Sequence, residues 1–269
     1  MLHNPSKRPL KRFGQNFLTN PHYQQKIVSS LDIRKTDAVL EIGPGRGALS
    51  RHIVAANPHK YWAVEIDRRW AEELKVQFGE KINLVEEDFL EINLEQIFEQ
   101  AGGSLKIIGN IPYNITTPIL FKLIESYQNI ERLVLMTQKE VAQRISAVPG
   151  TKAYGILSVI AQVYGRAEYL FSVGGGNFFP VPAVDSAVIA INFFNEISGI
   201  EDETLFRGLV RQVFNYRRKM LRNSLSGMFD KSIVNSVNSK FLTLRPEALS
   251  VEDFKQLSNE ISTAKSKNR

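Results

Sequence analysis

Five short apolar runs recur along the first half of the chain: AVLEIG at 38–43, KYWAVEID at 60–67, INLVEED at 82–88, LKIIGN at 105–110 and ERLVLMTQ at 131–138. Their apolar residues stand side by side rather than at alternate positions, which predicts strands buried on both faces. Between them, segments such as 47–56, 68–78 and 117–127 carry the period of amphipathic helices. Strand and helix in alternation predict an α/β fold, a parallel sheet covered by helices. AEYLFSV (167–173) and SAVIAINFF (186–194) read as a last pair of strands finishing the sheet, separated by the Gly/Pro-rich loop SVGGGNFFPVP. From about residue 200 the strand signal ends, after a break at NEISGIEDE. DETLFRGLVRQVF and the segments behind it read as helices, ending in a basic tail, AKSKNR. The expected organisation is one α/β domain over 1–198 and a small all-helical domain over 199–269.

Composition narrows the chemistry. A chain of 269 residues, 43% of them hydrophobic, can bury a substantial core. It has no cysteine, which excludes disulfides and thiolate metal sites, and its four histidines (His3, His22, His52, His59) lack ligand spacing, so no metal is expected. Neither a signal-type apolar segment nor a membrane-length run is present, and a soluble, cytoplasmic protein is expected. Nothing in the sequence demands more than a monomer.

The formal net charge of +6 is unevenly placed. Lys7, Arg8, Lys11 and Arg12 stand in one acid-free stretch, and Arg211, Arg217, Arg218, Lys219 and Arg222 in another. A single basic run is ordinarily a solvated face. Two of them with aromatics alongside (Phe13, Phe17; Phe214, Tyr216) point to a polyanionic partner. An amphipathic membrane helix is the other reading of the second cluster, but Asn215 and Asn223 interrupt its apolar stripe.

EIGPGRG at 41–47 sets three glycines at alternate positions just after the first strand, where bare backbone can approach a ligand. The spacing GxGxG fits the dinucleotide fingerprint GxGxxG poorly. Glu65 closes the second strand, where an acid can accept two hydrogen bonds from a ribose diol. Asp88 closes the third; a turn or helix-cap role suits it as well as a ligand role. All three features lie at the carboxyl ends of successive strands, where open α/β sheets bind ligands. The implied ligand has a ribose, an adenine within reach of Asp88 and no obligatory diphosphate, and S-adenosylmethionine fits that description.

NIPY (110–113) ends the fourth strand beside this site. The N6 of adenine is a poor nucleophile because its lone pair is delocalised into the ring. Accepting its two N–H protons in hydrogen bonds lets the nitrogen pyramidalise towards a methyl donor. The Asn110 side-chain oxygen can take one. Pro112 biases Ile111 to an extended conformation, which can aim the Ile111 carbonyl at the other. Tyr113 offers a ring to stack on an extruded base. The attacking amine is neutral, so no histidine base is needed.

These stretches resemble the ribosomal RNA adenine dimethyltransferases of the KsgA (RsmA) type. The likeness runs from about residue 10 to 225 through GQNFL (14–18), EIGPGRGALS (41–50), VEID (64–67), EEDFL (86–90), NIPYNITTPIL (110–120), FFPVPAVDSAV (178–188) and FNYRRKMLRNSL (214–225). It implies a Rossmann-like S-adenosylmethionine-dependent methyltransferase sheet with a helical C-terminal RNA-recognition domain. Asn16 and Leu18 would cover the cofactor, Gly43 would lie under its methionine part, Glu65 would hold the ribose, Asp88 the adenine, and Asn110 would touch both cofactor and target nitrogen. Phe178 would be the second stacking ring opposite Tyr113, with Phe179 its look-alike neighbour. Arg217, Arg218, Lys219 and Arg222 would contact RNA phosphates. The implied reaction is dimethylation of N6 on two adjacent adenosines in the 3′-terminal hairpin loop of 16S rRNA, in an immature small ribosomal subunit. Two departures are visible: Ile111 stands where leucine is commoner, a form shared with relatives that dimethylate large-subunit rRNA, and Ala183 stands where lysine is common. An RNA-binding assembly factor with secondary or lost methyl transfer is the competing reading.

Overall fold

The structure, a computed structural model, describes residues 14–267. The basic cluster Lys7, Arg8, Lys11 and Arg12, with Phe13, lies outside the described residues. The chain divides into two units, residues 1–142 with 166–195, and residues 143–165 with 196–269.

In the first unit every apolar run of the sequence is a strand. After a two-residue strand β1 (Phe17–Leu18) and helix α1 (Pro21–Ser29) come β2 (Ala38–Ile42), α2 (Ser50–Ala56), β3 (Lys60–Val64), α3 (Arg68–Phe78), β4 (Asn83–Val85), α4 (Leu94–Ala101), β5 (Leu105–Asn110), α5 (Thr116–Glu125) and β6 (Ile130–Gln138). The division between units falls inside α6 (Lys139–Ile145), which is followed by α7 (Ile156–Tyr164), β7 (Gly165–Val173), β8 (Phe178–Phe179) and β9 (Ser186–Phe193). The main sheet has the order β4-β3-β2-β5-β6-β9-β7. Strands β2 to β6 run parallel and β9 antiparallel to β6, so the last strands do finish the sheet, with β9 inserted between β6 and β7. The five residues of β2 are all buried, as a central strand covered on both faces requires.

Register is what positions the site. Ile42 pairs with Val64 on one side and Gly109 on the other, and Val64 pairs with Val85. Four strands therefore end level, and the residues that follow them emerge at one edge. Helix α2 begins at Ser50 rather than at 47, because Gly43, Gly45 and Gly47 all have positive φ and hold the preceding loop out of the helix. Asp67 caps α3 by accepting the Arg69 N–H, and Asn93 caps α4 by accepting the Glu95 N–H.

At the opposite edge, the side chain of Lys106 is 1% exposed, and its Nζ lies 2.8 Å from Asp37 Oδ2 and donates to the Asp32 carbonyl. This buried cation pins the start of β5 to the turn that leads into β2.

The second unit is helical. Besides α7 it contains α8 (Glu203–Asn215), α9 (Leu221–Leu225), α10 (Lys231–Ser236), α11 (Ser239–Leu242) and α12 (Val251–Lys267). Phe206, Leu209, Val210 and Val213 of α8 are buried at helical spacing, and Phe214 touches Tyr154 and Phe254 with ring centroids 6.1 and 5.8 Å apart. The unit is larger than the segment from 199 onward: residues 143–165, which the sequence pattern assigned to the sheet domain, group with it. Among the described residues no helix is long and apolar enough to cross a membrane.

Removing one partner of a buried ion pair leaves the other charge without compensation. Lys106→Ala is expected to lower the unfolding free energy by about 3 kcal/mol or more in urea titrations. A loss below about 1 kcal/mol, the size of an exposed pair, would show that Lys106 does not pin the strand.

Candidate active site

A cleft of about 330 Å³ opens where β2, β3, β4 and β5 end. That is the low end of the range for small-molecule sites. Its lining draws on residues 14–18, the 43–45 loop, Glu65, Asp88 and residues 110–115. The loop is held by Glu65: the Gly45 N–H donates to its Oε2 at 2.8 Å and the Asp67 N–H to its Oε1 at 2.9 Å. Each carboxylate oxygen keeps a lone pair for a ligand. Burial pushes the Glu65 carboxyl upward, and these backbone bonds oppose that shift.

Glycine is required in the loop for two different reasons. At Gly45 a Cβ would meet the Phe17 ring at 2.8 Å, so the aromatic of β1 seals directly onto backbone. At Gly43, φ is +65° and the nearest atom to a Cβ would be the Asn110 carbonyl oxygen 4.0 Å away, which leaves a bare backbone floor facing open space.

Asp88 takes the turn role that its sequence position allowed, and it also lies in the cleft lining. Its Oδ1 accepts the Leu90 N–H at 2.9 Å, as a turn acid does. Asn110, the last residue of β5, donates its Nδ2–H to the Asn16 carbonyl at 3.1 Å, which commits the amide nitrogen and leaves the oxygen to accept. Ile111 belongs to the cleft lining and is 2% exposed. Pro112 is extended (φ −55°, ψ 136°), and Tyr113 follows in a short 3₁₀ turn with its hydroxyl 2.6 Å from Ser186 Oγ. Burial pushes the Tyr113 phenol up, so the ring stays neutral.

Among the described residues the lining contains four acids (Glu41, Glu65, Glu87 and Asp88) and neither lysine nor arginine. That set of acceptors suits a ligand with cationic groups, a diol and an exocyclic amine; it would repel a diphosphate.

Comparison with known proteins agrees with this geometry. The family model described as "Ribosomal RNA adenine dimethylase" matches residues 7–263. The chain belongs to this dimethylase family. A "Ribosomal RNA small subunit methyltransferase A" of Chlorobium phaeobacteroides is 47% identical over 93% of each chain, and one of Pseudomonas aeruginosa 37% identical over 95% of each. A dimethyladenosine transferase from Plasmodium falciparum superposes with a TM-score of 0.80 at 25% identity, covering 93% of this chain and 98% of its own. The 23S rRNA methyltransferase ErmE shares the fold, with a TM-score of 0.70 over 91% of this chain and 99% of its own at 22% identity. The dimethylase uses S-adenosylmethionine, and the acidic cleft with its bare Gly43 floor fits that sulfonium-bearing cofactor.

The residues singled out in the sequence are thus sorted by the dimethylase structure. Asn16, Leu18, Gly43, Glu65, Asp88, Asn110, Ile111 and Tyr113 all line one cleft. Phe178 does not: it is 4% exposed, pairs with Leu18 across the β1–β8 ladder and packs in the main core, whereas Phe179 is 56% exposed. In this structure the ring facing the cleft is Tyr113 alone of the pair implied by the family likeness. The basic residues 217–222 do not lie on one helix; α8 stops at Asn215 and the chain turns before α9, with Leu221 N–H donating to the Leu244 carbonyl at 2.8 Å. Arg217 is engaged within its own unit, its Nε 2.7 Å from Glu247 Oε2 and its Nη2 donating to the Thr151 carbonyl at 3.1 Å. Arg218, Lys219 and Arg222 are exposed.

Glu41 is a further residue of the lining, and its signal in the sequence is a glutamate inside an otherwise apolar strand. It is 1% exposed, and its Oε2 accepts hydrogen bonds from Ser50 Oγ at 2.7 Å and from the Tyr61 hydroxyl. Burial pushes its carboxyl up to about 7; the Ser50 and Tyr61 bonds pull it down and the Glu65 charge pushes it up. A folded-state pKa above the unfolded one means that the native state keeps a proton the unfolded chain gives up. Stability from this group is therefore complete below about pH 4.5 and lost as pH rises through about 7. Glu41→Gln keeps acceptors for Ser50 and Tyr61 but cannot ionise. The stability of wild type relative to this variant is expected to fall by on the order of 3 kcal/mol between pH 5 and 8. A pH-independent difference in chemical denaturation would contradict the assignment.

Proposed function

We propose that the chain transfers two methyl groups to N6 of each of two adjacent adenosines in the 3′-terminal hairpin loop of 16S rRNA, acting as a cytoplasmic monomer on an immature small ribosomal subunit. The observation that carries the reading is the oriented amide of Asn110: with its nitrogen bound to the Asn16 carbonyl, the oxygen is an acceptor fixed at the mouth of the cofactor cleft. The curated relatives' name, small subunit methyltransferase, supports the choice of subunit.

S-adenosylmethionine supplies an electrophilic methyl group on a sulfonium. Glu65 would hold its ribose hydroxyls, Asp88 would take the exocyclic amine of its adenine, and residues 16–18 would cover it. Asn110 Oδ1 accepts one N–H of the target adenine and the Ile111 carbonyl the other, drawing electron density onto N6 and removing its planarity. Tyr113 stacks on the extruded base, its ring held by the hydroxyl bond to Ser186. The pocket needs no general base, because the proton leaves an already methylated, cationic nitrogen.

Asn110→Ala is expected to reduce turnover by about a hundredfold or more, while S-adenosylhomocysteine binding weakens less than about tenfold, since the interaction lost is one of transition-state positioning. Equal losses in a paired calorimetric and methyl-transfer measurement would remove Asn110 from that role.

In the helical unit, Arg218, Lys219 and Arg222 would contact phosphates. Reversing all three to glutamate is expected to weaken particle binding and to flatten its log–log salt slope by roughly 2 to 3, close to one counterion per contact. An unaltered slope would return these residues to an ordinary solvated face.

A further inference from the structure

Residues 179–184 read FPVPAV, six positions without a polar side chain, yet Phe179, Val181 and Val184 are 56%, 67% and 47% exposed. Contiguous exposed apolar surface of this kind marks a contact site. The segment is also held in place. Upstream, the Asn177 carbonyl accepts from the Thr19 N–H at 2.8 Å and the Asn177 amide oxygen from Asn20 at 2.8 Å. Val181 packs back on the preceding turn, its Cγ1 3.3 Å from where a Cβ on Gly175 would lie. Downstream, the Asp185 carbonyl accepts the Lys139 N–H at 2.9 Å, and Ser186 holds the Tyr113 hydroxyl. Pro180 and Pro182 fix two further φ angles. An apolar tip that is already ordered loses little entropy when it is covered.

Its place identifies what covers it. Phe179 pairs with Phe17 across the β1–β8 ladder, and Phe17 lines the cofactor cleft and seals the Gly45 loop. The other end of the segment runs into the strand whose Ser186 positions Tyr113. The tip thus stands on a mount shared by the cofactor loop and the base-stacking ring. It carries no cation to meet a phosphate, and the exposed Asp185 beside it repels one.

We infer that Phe179, with Val181 and Val184 beside it, is an apolar wedge that stacks on the RNA base left without a neighbour when the target adenine is extruded into the cleft. This rests on the proposed function and adds to it the residues that hold the emptied stack apart. Extrusion sacrifices base stacking on both sides of the target, and an inserted aromatic ring restores one side. The wedge makes no charge contact, so its signature differs from that of the basic turn.

The test uses the full chain with small ribosomal particles from cells lacking the modification. Methyl transfer, particle binding across a salt series and S-adenosylhomocysteine binding are measured for wild type, Phe179→Ala, Phe179→Leu and Phe179→Trp. Phe179→Ala is expected to lower particle affinity and kcat/KM by roughly five- to a hundredfold, the effect of one base stack, with unchanged salt slope and S-adenosylhomocysteine affinity. Phe179→Trp should restore both and Phe179→Leu should not. Wild-type behaviour of Phe179→Ala overturns the wedge, and rescue by leucine as complete as by tryptophan reassigns the tip to an apolar protein surface. Wild type that binds particles but transfers no methyl sinks the dimethylation reading, while the binding comparison among variants still decides the wedge.

Discussion

The hydrogen bond from the Gly45 amide to the Glu65 carboxylate joins two loops that the sheet alone would leave separate. Parallel register brings the ends of β2 and β3 level, but level ends are only neighbours. A carboxylate anchored at both oxygens fixes where the glycine loop runs, and the loop fixes everything laid on it. Phe17 sits against Gly45 because no side chain is there, with Trp70 packed edge-on to it at 5.2 Å and the Arg46 guanidinium 4.8 Å from the Phe17 ring centroid. β1 then carries β8 on its other side. The acid that would hold a ribose is thus the same acid that holds the protein wall of the pocket.

Asn16 extends that dependence to the chemistry. Its carbonyl takes an amide hydrogen of Asn110, so the segment 14–18 that lines the cleft also selects which end of the Asn110 side chain is left to accept. Gln15 reinforces it by donating to Asp67 at 3.1 Å, the residue that caps α3 and whose own N–H binds Glu65. Residues 14–18 therefore contact the glycine loop and the Asn110 amide at once. A displacement of one reaches the other through two hydrogen bonds rather than through the core.

The main sheet was legible because its signals are local and redundant. LKIIGN predicted β5 at its observed limits, and 68–78 predicted α3 at its limits, since burial on both faces and an Asp cap each mark the chain directly. The cleft residues were legible because strand ends in a parallel sheet converge whatever the loops do. What stayed hidden depends on partners far away in sequence. A two-residue strand has no period, so only its pairing with β1 turns Phe178 to the core and Phe179 to solvent. Arg217 reads as free charge until Glu247 and Thr151 are folded beside it. The grouping of residues 143–165 with the C-terminal helices has no compositional break to announce it.

Charge divides the work between the regions of the chain. Among the described residues the cleft lining has four acids and neither lysine nor arginine, a setting that favours cationic or neutral groups over phosphate. The exposed cations Arg218, Lys219 and Arg222 of the helical unit suit phosphate, and the uncharged tip at 179–184 suits a base. A cation in the lining would favour phosphate over an uncharged base. An acidic lining avoids that competition: on the proposed reading, phosphates are left to the exposed cations of the helical unit, and the cleft is kept for an uncharged base.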